Sequence, residues 1–191
     1  KNNFFTADHG NVFNNTQQSY LFWFKLRSSY NASGEFSKKY FYRHLDATGK
    51  IAKELYINRS GDLVYKRIFD TGTQILTQSY KLENFEATYT AVDRYNMLQI
   101  NYDTQANPPG ANPGQVVLYV NAVSQSIVEN LHLTGTTITN GQTARVKTNG
   151  KMFVGGNGKV SSSFGGQLAA WAFFADTVND NNRKNLYNNG Y

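Results

Sequence analysis

Cysteine is missing from this 191-residue chain. That absence excludes a disulfide framework, any thiolate-held zinc or iron–sulfur centre, and a thiol nucleophile. It leaves the compartment open, because a domain of this size hides roughly 70% of its unfolded surface and needs no covalent staple. Long apolar runs are missing as well. Nothing approaches the ~20 residues of a membrane-spanning helix, so no membrane insertion is expected. Proline is scarce, and all three prolines fall between residues 108 and 113. Helical periodicity is nearly absent too. The opening Lys1-Asn2-Asn3-Phe4-Phe5 has neither an initiator Met nor the layout of a signal peptide. The expectation is one domain, residues 1–191, excised from a larger protein.

What is present is Asn, Thr, Ser, Gly, Tyr and Phe, a bias that suits many short strands and turns. Lys and Arg number 19 against 13 Asp and Glu, a net charge of +6. An excess of this sign favours anionic partners. The basic residues are nevertheless scattered, which reads as a solvated surface and not as a nucleic-acid footprint.

Period-two alternation dominates the chain. In Tyr20-Leu21-Phe22-Trp23-Phe24-Lys25-Leu26-Arg27 the even positions are all apolar or aromatic, whereas the odd set ends in Lys25 and Arg27. Further strands are predicted at Lys39–Leu45, Glu54–Asn58, Leu63–Phe69, Ala87–Val92, Met97–Asp103, Gln115–Asn121, Ser126–Leu133, Arg145–Val154 and Gln167–Ala175. The stretches 46–49 and 59–62 supply turn chemistry, with glycine available for positive φ. Thr104–Gly114 holds the prolines and cannot be a central strand, because proline donates no ladder hydrogen bond. It reads as a long exposed loop. One short helix follows the last strand, capped by Asn179 and stopped by Gly190, with Leu186 and Tyr187 turned inward. The pattern predicts an all-β, two-sheet antiparallel sandwich with one short C-terminal helix.

The order of landmarks resembles the laminin-G-like and concanavalin-A-like sandwiches. Ser19–Leu26 is similar to their early "sfWvkl" strand. Tyr95–Asp103 resembles "WhhvavtyD", with Tyr95 in place of the tryptophan. Val117–Val123 resembles "kLYvnGv", with Ala122 where the turn glycine usually stands. Phe153–Asn157 resembles "l.iGg", and Phe164–Gly190 resembles the closing segment, ending in Leu186-Tyr187-Asn188-Asn189-Gly190. Five motifs in the same order span residues 19 to 190. The resemblance implies a jelly-roll fold that hosts lectins, sialidase lectin modules, neurotoxin receptor-binding regions and glucanases alike, so fold alone does not settle function.

Catalytic signatures are missing. The glucanases of this fold set their carboxylates on one strand as Glu-x-Asp-x-x-Glu, and no such run occurs here. Glu83 and Glu86 lie three apart, which on a strand sends them to opposite faces. Asp176 and Asp180 flank the helix start and read as capping residues. There is no Gly-x-Ser-x-Gly elbow, and His9, His44 and His132 are far apart. No enzyme activity and no cofactor are expected. A calcium ion at the sandwich rim is what the resemblance would add, with Asp103 as the candidate ligand beside the proline-rich loop.

Alternation also proposes a binding face. With Phe22, Phe24, Leu98, Ile100, Leu118 and Val120 in the core, Trp23, Lys25, Gln99, Asn101 and Tyr119 point the other way. Gln99, Asn101 and Tyr119 then share one surface, and Trp23 joins them if its strand belongs to the same sheet. The alternatives, a loop over Trp23 or a reversed phase, stay open at this stage. Trp171 is expected in the core, beside Leu168, Phe173 and Phe174. Loop tips at Tyr30-Asn31, Arg43-His44 and Asp103–Gly114 form a second candidate site. The expected function is a non-catalytic glycan- or polysaccharide-binding module at the cell surface, virion surface or elsewhere outside the cytoplasm. The alternative is a structural or protein-interaction module, including a homo-oligomer.

Overall fold

The computed structural model describes residues 5–8, 17–27, 38–70, 75–90, 93–103, 115–132, 150–156 and 164–189. Twelve strands and two helices lie among them: β1 (Phe5–Asp8), β2 (Gln17–Leu26), β3 (Lys39–Leu45), β4 (Ile51–Ile57), β5 (Leu63–Asp70), β6 (Ile75–Leu82), α1 (Phe85–Thr90), β7 (Asn96–Asp103), β8 (Gln115–Val120), β9 (Val123–Ser124), β10 (Val128–His132), β11 (Lys151–Val154), β12 (Gly166–Phe174) and α2 (Asp180–Asn189). They build a seven-stranded sheet in the order β1-β11-β3-β4-β5-β6-β10 and a five-stranded sheet in the order β12-β2-β7-β8-β9. Every pairing is antiparallel. This is the predicted two-sheet sandwich.

The core forms where alternation said it would. Tyr20, Phe22, Phe24 and Leu26 of β2 face inward with Leu98 and Ile100 of β7 and Leu118 and Val120 of β8. They meet Phe41, Tyr42, Leu55, Ile57, Leu63 and Tyr65 of the opposite sheet. Aromatic rings supply much of the contact, mostly edge-on, as between Phe41 and Phe164 with centroids 4.5 Å apart. Each fully buried Phe contributes roughly 1.5–3 kcal/mol.

Three parts of the fold differ from the sequence expectation. Of the predicted strand Ala87–Val92, residues 87–90 are helical, in α1, where Phe85 and Tyr89, four apart, bring tilted rings to 4.8 Å and pack against the core; residues 91–92 lie outside the described residues. β1 and β6 were not anticipated. In β6 the buried Gln78 shares the inward side with Tyr80, which blurs the apolar alternation. Of the predicted strand Arg145–Val154, residues 145–149 lie outside the described residues, and β11 begins at Lys151.

Gln78 belongs to a polar row. His44, Lys53, Arg67 and Gln78 pair across β3, β4, β5 and β6 and are all buried. Across the sandwich they meet Gln18, Tyr20 and Tyr102. Lys53 Nζ donates to Gln18 Oε1 at 2.5 Å and to Tyr20 Oη at 2.9 Å. The Arg67 guanidinium lies 3.1 Å from the centre of the Tyr102 ring.

Turns use the expected residues, with one exception. Gly49 and Gly61 adopt φ of +80° and +83°. In the β8–β9 turn Asn121 and Ala122 both take positive φ, 52° and 65°. Asn121 is held there: its Oδ1 accepts from Met97 N and its Nδ2 donates to Asn96 Oδ1, both at 2.9 Å. Ala122 has no such support and bears the left-handed penalty that a glycine avoids. Ala122→Gly is therefore expected to stabilise the fold by about 0.5–1 kcal/mol, raising Tm by a few degrees. An unchanged or lower Tm in thermal unfolding would contradict this.

Candidate functional site

The outer face of the five-stranded sheet is built by the residues that alternation turns away from the core. Trp23 pairs with Met97 and Ala170, Leu21 with Gln99 and Ala172, Ser19 with Asn101, and Gln99 with Tyr119. Gln99, Asn101 and Tyr119 thus share one face, as expected, and the pairing of β2 with β7 adds Trp23, which alternation alone left open. The face is not open, however. The chain's own C-terminal segment lies on it. Asn101 Nδ2 donates to the Val178 carbonyl at 2.9 Å, and Val178 N donates to Ser19 Oγ at 2.8 Å. Gln99, fully buried, donates to Asn101 Oδ1 at 2.6 Å. The Arg183 guanidinium of α2 lies 3.5 Å from the centre of the Tyr119 ring. Gln99, Asn101 and Tyr119 therefore hold the link to α2 and its first turns in place, and are corrected from open ligand contacts to the seat of that helix. A ladder pattern shows which way these side chains point but not what lies on top of them.

Helix α2 is capped as predicted: Asn179 Oδ1 accepts from Asn182 N at 2.9 Å. Its Leu186 and Tyr187 pack on the Leu21–Trp23–Met97 cluster, with Ala122, Ala170 and Ala172 around it. Alanine matters here. Ala170, with its small side chain, borders open space beside α2 that a larger residue would fill.

That space is a groove of about 860 Å³, inside the usual range for small-molecule sites. Trp23 of β2, Ala170 and Phe174 of β12, Asp176 of the segment that follows, and Asn182, Asn185, Leu186 and Asn189 of α2 line it. Trp23 keeps 8% of its surface exposed and Phe174 keeps 37%. The side-chain amides of Asn182, Asn185 and Asn189 make no hydrogen bond to another described residue. Among the predicted site residues only Trp23 belongs to this groove. The asparagines were legible as an i, i+3, i+7 stripe along one side of the helix, and Phe174 as the outward partner of Ser19 on β12.

The remaining candidates are dispersed. Lys25 forms an ion pair with Asp93, which holds that carboxyl below its ordinary range through the hydrogen bond and then the charge. Arg43 and His44 are not at a loop tip but inside β3, and neighbouring residues of a strand face opposite ways. Arg43 lies on the outer side of the seven-stranded sheet, Nε 2.9 Å from Glu54 Oε1, whereas His44 is buried. Trp171, expected in the core, is 36% exposed. β12 is an edge strand with a bulge between Leu168 and Ala170, so one side of that ring has no neighbouring strand to cover it. Asp103 Oδ2 accepts from Gln17 Nε2 at 2.9 Å. Among the described residues no three His, Asp or Glu side chains gather to hold a cation. Tyr30, Asn31 and 104–114 lie outside the described residues.

The arrangement matches solved structures along nearly its whole length. A Ruminococcus gnavus IT-sialidase CBM40 bound to α2,3 sialyllactose aligns over 97% of this chain and 96% of that one, with a TM-score of 0.57 at 11% identity. The binding domain of botulinum neurotoxin serotype G aligns over 96% of this chain and 40% of that one, with a TM-score of 0.54 at 12% identity. The LG1-3 region of the laminin α2 chain aligns over 92% and 31%, with a TM-score of 0.51 at 15% identity. The fold is a laminin-G/concanavalin-A-like sandwich. No protein-family model matches the sequence, and no curated protein matches it. At these identities the likeness establishes the laminin-G-like fold and nothing finer.

Proposed function

We propose that the chain is a non-catalytic carbohydrate-binding module. One observation carries this reading: a single groove is lined by Trp23 and Phe174 together with the asparagines Asn182, Asn185 and Asn189. Apolar ring faces match the CH faces of a pyranose, and amides offer both donors and acceptors to its hydroxyls. The CBM40 neighbours, solved with α2,3 and α2,6 sialyllactose, support it. Hydrolysis needs two carboxyl groups flanking the bond, and Asp176 is the one carboxylate among the described groove residues. The module acts outside the cytoplasm, at a cell or virion surface, as part of a larger polypeptide. No helix among the described residues is long and apolar enough to cross a membrane.

A glycan array probed with the chain, with and without calcium, tests this. Binding to a defined set of glycans is expected. The calcium arm reports on the proposed role of Asp103. A blank array in both conditions sinks the reading.

A second reading rests on exposed apolar side chains away from the groove, Ile75, Val123, Val128 and Trp171. It makes the chain a protein-interaction or assembly module. A botulinum neurotoxin DC binding domain, a neighbour of the same fold, was solved in complex with rat synaptotagmin II. Light scattering separates the two: a stable oligomer with a blank array favours assembly, and a sugar-binding monomer favours the first reading.

A further inference from the structure

We infer that the groove takes an uncharged glycan, one without carboxylate, sulfate or phosphate. This rests on the reading that the groove binds carbohydrate and adds the ligand's charge class. The chain as a whole is basic, at +6, and the CBM40 neighbours were solved with an anionic sugar, so a cationic site would be the simple expectation. The groove is built the other way. Among the described residues no Lys, Arg or His lines it, and Asp176 is the one charged side chain there.

The cations nearest in sequence stand outside the groove lining, and two of the three are paired. Arg183 is buried, laid on Tyr119 and paired with Asp180 at 2.5 Å. Lys184 is exposed on α2 but outside the groove lining. Lys25, at the next outward position of β2 after Trp23, is held by Asp93.

An anionic sugar entering this space would lose water from its carboxylate and meet no opposite charge, with Asp176 repelling it. A neutral sugar has no such cost. Asp176 Oδ1 accepts from Thr177 N at 2.6 Å, and a carboxylate can accept further hydrogen bonds from hydroxyls. Asn182, Asn185 and Asn189 lie along one side of a capped helix. Their uncharged polar side chains therefore line the groove together with Trp23 and Phe174.

The test uses the full chain, isothermal titration calorimetry and matched probes: chitotriose, cellotriose and lactose as neutral sugars, and 3′-sialyllactose as the anionic counterpart of lactose. At least one neutral sugar is expected to bind. Its affinity should change by less than about twofold between low and high salt, because no ion pair is formed. Phe174→Ala should weaken it. Asn185→Lys, at an exposed helix position, should shift selectivity toward 3′-sialyllactose over lactose at low salt. Binding of the sialylated sugar alone, or a steep loss of affinity with salt, overturns the inference but leaves the carbohydrate reading standing. Neutral binding unmoved by both substitutions places the sugar elsewhere and also overturns it. No binding in either class fails both.

Discussion

Phe174→Ala is expected to weaken glycan binding by roughly tenfold and Trp23→Ala by about thirtyfold or more, on the order of 1.4 and 2 kcal/mol. The two positions play different parts. Phe174 stands at the rim, more than a third exposed, so its truncation removes a ligand contact and little else. Trp23 is nearly buried and packs with Leu21, Met97, Leu186 and Tyr187. Its truncation removes part of the groove lining and also part of what seats α2, the helix that carries the asparagines. The Trp23 variant should therefore lose thermal stability along with affinity, whereas the Phe174 variant should lose affinity alone. Calorimetry paired with thermal unfolding checks both. An unchanged affinity in Phe174→Ala, with the fold intact, would remove the groove as the binding site.

The second large effect concerns stability. Lys53 is fully buried on the inner face of β4, beside Arg67. Burial first, and the neighbouring Arg67 charge second, push its ammonium well below the ordinary value of 10.5. The unfolded chain therefore binds this proton more readily than the folded one. As pH falls below 10.5 the unfolded state gains protonation energy that the folded state does not, until the folded pKa is passed. Stability should fall across that window by about 1.4 kcal/mol per pH unit from this residue, and rise again toward alkaline pH. Lys53→Met keeps a long side chain and removes the charge. It leaves Tyr20 hydrogen-bonded to Gln18. The variant should be more stable than the parent at neutral pH, with a flatter pH profile. Urea unfolding at several pH values decides it. A variant with the parent's slope, or less stable at neutral pH, would show that the ammonium is compensated in the fold.

Much of the sandwich was readable because two-residue alternation is a local property. Tyr20, Phe22, Phe24 and Leu26 announce an inner face wherever β2 is placed. Leu98, Ile100, Leu118 and Val120 do the same for β7 and β8. The turn at Gly49, the cap at Asn179 and the odd Ala122 could be read for the same reason, since backbone conformation there depends on neighbouring residues. β6 and α1 were harder. Gln78 points inward because it joins a polar row contributed by three other strands. Residues 85–90 follow a helical path although Thr88 and Thr90 are β-branched. Phe85 finds a core position there, and Glu86 meets Lys39 and bonds through its backbone N–H to Gly61.

The sequence by itself determined the inward set of β2, β7 and β8, the two antiparallel layers, and the shared direction of Gln99, Asn101 and Tyr119; that Trp23 lies on the same face came from the pairing of β2 with β7. Only the tertiary structure decided what covers that face. Segments some 80 residues apart meet at Val178, where Asn101 and Ser19 hold the backbone that starts α2. The small Ala170 of β12 then borders open space beside the helix. Alternation specifies a direction for each side chain, but occupancy depends on distant chain arriving there, and only the packed structure contains that information.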